Sequence, residues 1–373
     1  MDFAPTPEQE ALRALARQIL GDHTAPRRLE EVEATADRVD HDLWAALAGA
    51  GLLGTCVPEE HGGSGLGFTD LCVLLEEVGA AVAPVPAYPA LTLGALPVAE
   101  LGTPDQRRRY LPSIAAGDAV LTAALQEPRN PEPLAPVTRA DRDAGGWRLE
   151  GVKLGVPAAA AAAAIVVPAR TGAGPRLFLV EPGAAGVRLE RQETTTREVQ
   201  HLVTLDGAVV PEDSVLGGAD SLAWLVRRAT VGLCAMMVGV TERALRMTAR
   251  YASEREQFGR PLAAFQAVSQ RAADAYVDVE AIRLTTLAAA WRLAGGEADG
   301  AEADEAVAIA KFWAAEGGQR VVHTAQHLHG GVGVDVSYPL HRYFLWAKQL
   351  ELGLGGAAHH LLRLGAELAG AAD

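Results

Sequence analysis

Apolar positions recur with helical spacing in the first third of the chain. Leu12, Leu15, Ile19 and Leu20 share one helical face behind the segment Thr6-Pro7-Glu8-Gln9. In this segment the threonine is placed to cap a helix, the proline to begin it and the glutamine to close a capping box. Three further helical patterns are predicted, at Leu43–Ala50, Phe68–Val82 and Pro104–Ala116.

The pattern changes between Leu121 and about Leu216, where short apolar runs alternate with Gly and Pro. Trp147–Gly151 and Arg176–Val180 are predicted strands. The alanine run at 158–164 would be helical on propensity alone. Pro157 before it and the Ile-Val-Val-Pro run after it favour a loop that leads into a strand.

Helical spacing returns from about Asp220 in four long segments, with breaks near Phe258–Pro261, Gly295–Gly300 and Gly330–Val336. No internal repeat is visible. We therefore predict an α+β protein with an N-terminal helical domain (1–118), a middle β domain (119–218) and a C-terminal four-helix bundle (219–373).

Composition narrows the class of protein. The chain has 373 residues, 49% of them hydrophobic, and a net charge of −14, so a large core is available and nucleic acid is excluded as the main partner. Cys56, Cys72 and Cys234 lie among apolar neighbours and are expected to be buried free thiols. We expect a cytoplasmic protein without a membrane partner, because the N-terminus does not resemble a signal peptide and no apolar run reaches the ~20 residues of a membrane span.

Two segments carry candidate chemistry. The first is Arg255-Glu256-Gln257-Phe258-Gly259, followed by Gln266; the second is Gln326–Gly333, which includes Gly330 and Gly331. A pyrophosphate is bound by a cation and by backbone N–H groups that glycines expose, and an adenine needs an aromatic wall. The alternative is that the charges are solvated and the glycines simply break a helix.

Together the two segments resemble the C-terminal cofactor signature of the acyl-CoA dehydrogenases. The helix–strand–helix order and the glycine turn within Gly54–Gly65 also resemble that family, although the turn alone fits a purely structural role. The resemblance implies a β-barrel-like middle domain. It also implies contacts to the adenine and pyrophosphate half of an FAD that a neighbouring subunit mainly holds. The implied cofactor-binding residues are Arg255, Gln257, Phe258, Gln266, Gln326, Gly330 and Gly331.

The family's catalytic base is missing from its expected places. In the family a Glu removes the α-proton of the acyl-CoA while the β-hydride passes to the flavin. Leu354 occupies the corresponding position, and Glu351 is the nearest carboxylate. Some members carry the base earlier, where this chain has Ala229. Leucine and alanine cannot accept a proton, so no catalytic residue is expected in this chain.

The strand module has lost part of the family's flavin pattern as well. Glu127 and Pro128 remain from a Thr-Glu-Pro triplet, but the glycine-rich stretch after them is absent. Gly155 replaces an aromatic residue and Pro157 a hydroxyl donor. We expect that the subunit does not hold a flavin in its own cleft. Among the histidines, His323 and His327 share a helical face, yet no metal site is expected, and His329 is expected to bond the cofactor or a partner's backbone.

The sequence therefore resembles one subunit of the paired actinobacterial enzymes that dehydrogenate steroid side-chain CoA thioesters. The implied partners are a homologous subunit that carries the Glu, an electron-transfer flavoprotein and an acyl-CoA substrate, with FAD shared between subunits. Two alternatives stay open. One is a self-sufficient flavin oxidase or monooxygenase of the same fold, and the other is a non-enzymatic assembly protein.

Overall fold

The computed structural model of the chain describes residues 3–295 and 300–370. Helices dominate its N-terminal part: α1 Pro7–His23, α2 Pro26–Glu33, α3 His41–Gly49, α4 Phe68–Ala81, α5 Leu96–Leu101 and α6 Pro104–Ala115, with a π-helix at Tyr88–Ala95. The capping box between Thr6 and Gln9 forms as predicted, and the three predicted helices are confirmed. The π-helix and the short helices α2 and α5 were not predicted.

Eight strands follow: β1 Val120–Ala123, β2 Arg139–Asp143, β3 Gly146–Pro157, β4 Ala162–Thr171, β5 Gly174–Val180, β6 Val187–Glu193, β7 Val199–Pro211 and β8 Val215–Leu216. They form one sheet in the order β6-β7-β3-β2-β4-β5-β8, with β1 added beside β4. Pairing is antiparallel except where β4 meets β1 and β2. The sheet encloses a core to which both β3–β7 and β4–β5 contribute, and this agrees with a barrel-like module.

The alanine run becomes the predicted loop and strand. Ala158 takes a left-handed conformation with φ of 53°, a single 3₁₀ turn follows, and β4 begins at Ala162. The strands predicted at Trp147–Gly151 and Arg176–Val180 lie within β3 and β5.

The C-terminal part contains α7 Ser221–Glu254, a hairpin of β9 Glu256–Gln257 and β10 Arg260–Pro261, α8 Gln266–Ala294, α9 Ala301–His329, α10 Leu340–Leu352 and α11 Ala357–Gly370. The prediction of four helical segments is wrong, because the last segment is divided in two. Leu354 and Gly355 have φ of 56° and 98°, which a right-handed α-helix does not accommodate. The sequence also predicted a break at Gly295–Gly300. Positions 296–299 of this segment lie outside the described residues.

Contacts between Cα atoms divide the chain into two compact units. One comprises the described residues up to Leu29, Cys72–Ala83 and those from Thr230 onward, and the other comprises Glu30–Leu71 and Pro84–Ala229. All eight strands of the large sheet belong to the second unit. The three-domain division of the chain stays a prediction.

Within the first unit, α4 and α7 approach closely because each has a glycine at the contact. A Cβ at Gly79 would overlap the backbone of Met236, and one at Gly239 would overlap the carbonyl of Glu76. Beside this contact Arg283 of α8 donates to Glu76 at 2.7 Å and to Glu242 at 2.6 Å. The unit is thus held by tight helix packing and a half-buried ion network.

Helix α7 is the one helix in the described chain that is long and apolar enough to cross a membrane by length and composition. The sequence prediction had found no such run. However, 83% of the most apolar window of α7 is buried within the protein, as in a core helix. The three cysteines are free and buried, as predicted.

Candidate functional site

The first candidate segment folds into a small hairpin at the end of α7. Gln257 pairs with Arg260 in antiparallel register, which leaves Phe258 and Gly259 as a two-residue turn. Their φ angles are 53° and 77°, and both are positive, as a type I′ turn requires. A bulky residue seldom adopts this conformation. The Phe258 side chain is 93% exposed, and its ring meets the edge of Phe265 with 6.2 Å between ring centroids.

Arg255 lies where α7 ends and the hairpin begins. Its N–H donates to the carbonyl of Tyr251 at 2.8 Å, and its side chain is exposed. Across residues 3–295 and 300–370, this guanidinium has no ion pair or side-chain hydrogen bond. The neighbouring cations are engaged, since Arg260 lies 4.1 Å from the centroid of Phe265 and Arg271 bonds Nδ1 of His327 at 2.9 Å. Arg255 is therefore an available cation, three residues before an exposed aromatic ring in the sequence.

Gln266 is the first residue of α8, a helix of 29 residues. Phe265 stands at the N-cap position and offers no side-chain acceptor to the first N–H groups. These N–H groups and the helix dipole favour a negative charge at this end of α8. The amide of Gln266 is exposed, whereas the amide of Gln257 donates to the carbonyl of Glu256 at 2.8 Å.

The structure brings the two candidate segments together. The rings of Tyr251 and His329 stack with 4.4 Å between centroids, and this joins the end of α7 to the end of α9. Gly330 ends α9 with φ of 63°, and a Cβ built at Gly330 or Gly331 would meet no atom within 4 Å. Gln326 is half-buried one turn earlier. The backbone at 330–331 is consequently open to an incoming group.

His329 does not have the predicted role. It is 3% exposed, its Nδ1 lies 2.8 Å from the carbonyl of Ala325, and its Nε2 lies 3.2 Å from the Tyr338 hydroxyl. Both ring nitrogens are therefore used within the chain, and none is left for a cofactor or a partner. His329 instead stabilises the glycine turn at Gly330–Gly331, which directly follows it. Its position inside the second motif gave no signal of this, because the contact with Tyr251 is non-local.

The other histidines also have internal contacts. His323 lies edge-on to Phe344 at 4.9 Å, and His327 bonds Arg271. In the part of the chain that the structure describes, no group of three or more His, Cys, Asp or Glu side chains could hold a metal ion.

Comparison with known proteins identifies the family. Residues 6–118 match the model of the acyl-CoA dehydrogenase N-terminal domain, and residues 218–369 match that of the C-terminal domain. A relative in Mycobacterium tuberculosis named acyl-CoA dehydrogenase FadE27 is 41% identical over 99% of both chains. The chain belongs to the acyl-CoA dehydrogenase family.

Two solved structures are similar over the whole length of the chain. A chain of the "ChsE4-ChsE5 complex" from Mycobacterium tuberculosis matches with a TM-score of 0.94 and 41% identity, covering 99% of each chain. A chain of a "Tcur3481-Tcur3483 steroid ACAD" variant matches with a TM-score of 0.92 and 48% identity, covering 98% of this chain and 99% of that one. Fold and family therefore agree with the sequence prediction.

Leu354 occupies the place that the family resemblance assigns to the catalytic Glu. It is 8% exposed, and its carbonyl lies 3.0 Å from Nε2 of His360. Burial lowers the pKa of His360 to about 4, so this nitrogen donates from a neutral ring at neutral pH. The carboxylate of Glu351, the nearest in the sequence, accepts from Lys348 at 2.6 Å.

Lys311 secures the same turn from α9. Its buried ammonium donates to the carbonyls of Leu350 and Glu351, at 2.9 and 2.8 Å, where α10 ends. Burial lowers the pKa of Lys311 to about 8. A cation at a helix C-terminus satisfies carbonyls that the helix leaves open. Lys311 and His360 thus fix the α10–α11 turn, and no sequence pattern predicted either contact.

The second position at which the family can carry its base is Ala229, and here too a packed side chain stands in place of a carboxylate. Ala229 is fully buried, and its carbonyl accepts from the Tyr88 hydroxyl at 3.0 Å. In the sheet, Gly155 has φ of 60° within an irregular stretch of β3–β7 pairing. Its N–H donates to Gln192 at 2.9 Å, and a Cβ at Gly155 would lie 3.1 Å from the amide oxygen of Gln200. Glutamine side chains therefore surround Gly155, the position at which the resemblance leads us to expect an aromatic residue.

Proposed function

We propose that the chain is one subunit of an FAD-dependent acyl-CoA dehydrogenase complex, and that it completes the FAD site of a homologous partner. The partner carries the catalytic Glu, and the complex converts an acyl-CoA to the trans-2-enoyl-CoA. One observation carries this proposal: Arg255 and Phe258 are both exposed at the end of α7, and in the described chain the Arg255 guanidinium has no ion pair or hydrogen bond while the Phe258 ring meets the edge of Phe265.

The residues present fit the adenine and pyrophosphate half of FAD. Arg255 and the open N-terminus of α8 supply positive potential for the pyrophosphate, and the glycine turn at Gly330–Gly331 supplies accessible backbone. Phe258 supplies the wall for adenine. The amides of Gln257, Gln266 and Gln326 supply polar contacts. When bound, FAD accepts the hydride from the β-carbon of the acyl group.

The residues present do not fit the flavin half or the proton transfer. Gly155 and Pro157 offer neither an aromatic face nor a hydroxyl, and the bulged strand is bonded to glutamines. Leu354 and Ala229 cannot accept a proton. A base and a flavin cleft must come from another chain, and a homologous subunit offers both in matching geometry.

The relatives favour a particular substrate class and assembly. The similar chain at 48% identity belongs to a protein described as a steroid ACAD, and both solved relatives are named as pairs of unlike chains. We infer that this chain also pairs with an unlike homologue, in the cytoplasm, and that the acyl group is a steroid side chain carried as a CoA thioester. The inferred electron acceptor is an electron-transfer flavoprotein.

Flavin retention tests the proposal. The chain is purified alone and after co-expression with its homologous partner, and the visible absorbance of bound flavin is measured per chain. We expect flavin in the complex and none in the chain alone. Flavin bound by the chain alone would instead support a self-sufficient oxidase or monooxygenase. Absence of flavin in both preparations would support an assembly protein.

A further inference from the structure

The glycine turn after α9 folds back onto the end of that helix. A short 3₁₀ helix covers Gly330–Val334. A Cβ at Gly333 would lie 2.7 Å from the carbonyl oxygen of Gln326 and 3.2 Å from the Cβ of His329, so the backbone of the turn lies directly against the last turn of α9. The direction in which the open backbone at 330–331 faces therefore depends on the residues packed against the turn.

Tyr338 closes the segment that the glycine turn begins. Its backbone N–H donates to the carbonyl of Asp335 at 3.0 Å, and its hydroxyl lies 3.2 Å from Nε2 of His329, nine positions earlier. The ring of Tyr338 meets the edge of Tyr251, and Tyr251 stacks on His329. The loop at 330–337 is thus fixed at both ends by a cluster of three aromatic rings.

Hydrogen-bond chemistry assigns the proton on His329. The carbonyl of Ala325, 2.8 Å from Nδ1, can only accept, so Nδ1 carries the proton. Burial lowers the pKa of His329, and the ring is therefore neutral at neutral pH. In a neutral ring Nε2 accepts, and its donor is the hydroxyl of Tyr338. Each bond uses a different nitrogen, so a substitution can remove one bond and keep the other.

We propose that His329 and Tyr338 are positioning residues for FAD, because the bond between the Tyr338 hydroxyl and Nε2 of His329 orients the glycine turn toward the pyrophosphate. This inference rests on the proposed half-site. His329 acts without touching the cofactor, since it is 3% exposed and both of its nitrogens are used inside the chain. The contribution is preorganisation: a loop that is already held in its binding conformation loses less entropy when the ligand binds.

Two substitutions of His329 separate its two bonds. His329→Asn places an amide near the position of Nδ1, so the bond to Ala325 remains and the bond from Tyr338 is lost. His329→Gln places an amide near the position of Nε2, so Tyr338 keeps an acceptor. Both variants lose the stacking on Tyr251. In the co-expressed complex we expect His329→Asn to weaken FAD retention about two- to tenfold, the effect of one hydrogen bond, and His329→Gln to keep most of the affinity.

Tyr338→Phe removes the same bond from its donor side. It should weaken FAD retention as much as His329→Asn does, and the double variant should lose no more than either single one, because both remove one interaction. Tyr343→Phe is the matched control. The Tyr343 hydroxyl donates to the carbonyl of Ala80 at 2.9 Å, so this variant loses an internal hydrogen bond of α10 that does not involve the turn. It should lower the melting temperature of the chain without changing FAD affinity.

Amide hydrogen exchange in the chain alone measures the state of the turn without FAD. Tyr338→Phe and His329→Asn should speed exchange at residues 330–337, because the loop then opens more often, whereas Tyr343→Phe should not. Unchanged exchange at 330–337 in the first two variants would show that the bond does not hold the turn, and the positioning role would be wrong.

Arg255→Ala in the same complex separates this inference from the half-site proposal. If Arg255→Ala weakens FAD retention and Tyr338→Phe does not, the half-site stands and the positioning role is wrong. If neither variant changes FAD retention, the half-site itself is wrong and so is the positioning role. Equal FAD losses in Tyr338→Phe and Tyr343→Phe would also contradict positioning, because a general loss of stability would then explain both.

Discussion

The ammonium of Lys153 lies 2.8 Å from Oε1 of Glu127, and both side chains are almost fully buried. The same carboxylate accepts the N–H groups of Val137 and Thr138, at 2.6 and 2.9 Å. Burial alone would raise the pKa of Glu127, but the charge of Lys153 and these hydrogen bonds lower it to about 2. Glu127 therefore connects the segment after β1 to strand β3. This connection is a structural reason for a Glu at position 127, although the Thr-Glu-Pro triplet around it is altered.

Loss of this buried pair should strongly destabilise the middle sheet. Lys153→Met leaves an unpaired buried carboxylate, so we expect the free energy of unfolding to fall by about 3–5 kcal/mol. Arg139→Met breaks an exposed pair with Glu150 in the same sheet and should lower the free energy of unfolding far less, because solvent screens an exposed pair. Urea denaturation of both variants measures the difference. If both variants lose the same free energy of unfolding, burial does not make the Lys153–Glu127 pair more important for stability than the exposed pair.

Lys311 should make stability rise with pH in the alkaline range. Burial lowers the pKa of Lys311 from 10.5 to about 8 in the folded protein. Between these values the unfolded chain holds the proton and the folded chain does not, so stability increases as pH rises. From pH 7.5 to 9.5 the free energy of unfolding of the wild type, relative to Lys311→Met, should grow by about 2 kcal/mol. A difference that stays constant with pH would mean that this amine keeps its proton.

Restoring a carboxylate at position 354 should not restore catalysis. Leu354 is held in a left-handed turn by His360 and the carbonyl contacts of Lys311. Leu354→Glu in the chain alone should therefore give no acyl-CoA turnover with a dye acceptor, since a base without a positioned flavin and thioester contributes nothing. Measurable turnover by that variant, above the wild-type chain, would show that the flavin cleft is intact.

Much of the fold followed from local patterns, and the exceptions have a common cause. Capping at Thr6 and the strand at Trp147–Gly151 are set by neighbouring residues, so the sequence predicted them. The division of the last helix was missed although Gly353, Gly355 and Gly356 surround Leu354. Those glycines were interpreted as part of a site motif, while Gly355 also takes the positive φ of 98° that follows the end of α10.

The sequence located a set of candidate site residues, whose contacts to a cofactor stay a prediction, but it did not predict the geometry around them. Arg255 and Phe258 are exposed at the end of α7, where the motif suggested. His329 is bonded to Tyr251 and Tyr338, which lie 78 and 9 positions away from it in the sequence. No local sequence pattern predicts such contacts. The same limit applies to Lys311, whose acceptors lie about 40 residues later.

Phe258 should contribute to cofactor binding and cost the chain stability. Phe258→Asn keeps the turn, because asparagine tolerates positive φ, but removes the ring. We expect weaker FAD retention in the complex together with an equal or higher melting temperature of the chain, since strain at this position is relieved. Thermal unfolding and flavin titration measure the two effects. A lower melting temperature with unchanged FAD affinity would assign Phe258 a purely structural role.

Arg255 should contribute to FAD affinity through its charge and its forked geometry. A guanidinium that donates charge-assisted hydrogen bonds to a pyrophosphate contributes roughly 1.5–3 kcal/mol per bond. Arg255→Ala in the complex should therefore weaken FAD retention about tenfold or more, because ~1.4 kcal/mol corresponds to one decade. Arg255→Lys should recover only part of this loss, since an ammonium cannot form the forked contact. Excess FAD should return much of the lost turnover, because the partner's base and thioester contacts are untouched.

Arg250→Ala is the control for Arg255→Ala. Arg250 lies on the same helix, is exposed, and already pairs with Glu254 at 2.9 Å, so its loss removes one positive charge near the half-site without removing an available donor. FAD affinity should change little in this variant, and any change should vanish at high salt because exposed charges are screened. If Arg255→Ala affects FAD affinity no more than Arg250→Ala, the Arg255 guanidinium is a solvated surface charge and the half-site loses its principal support.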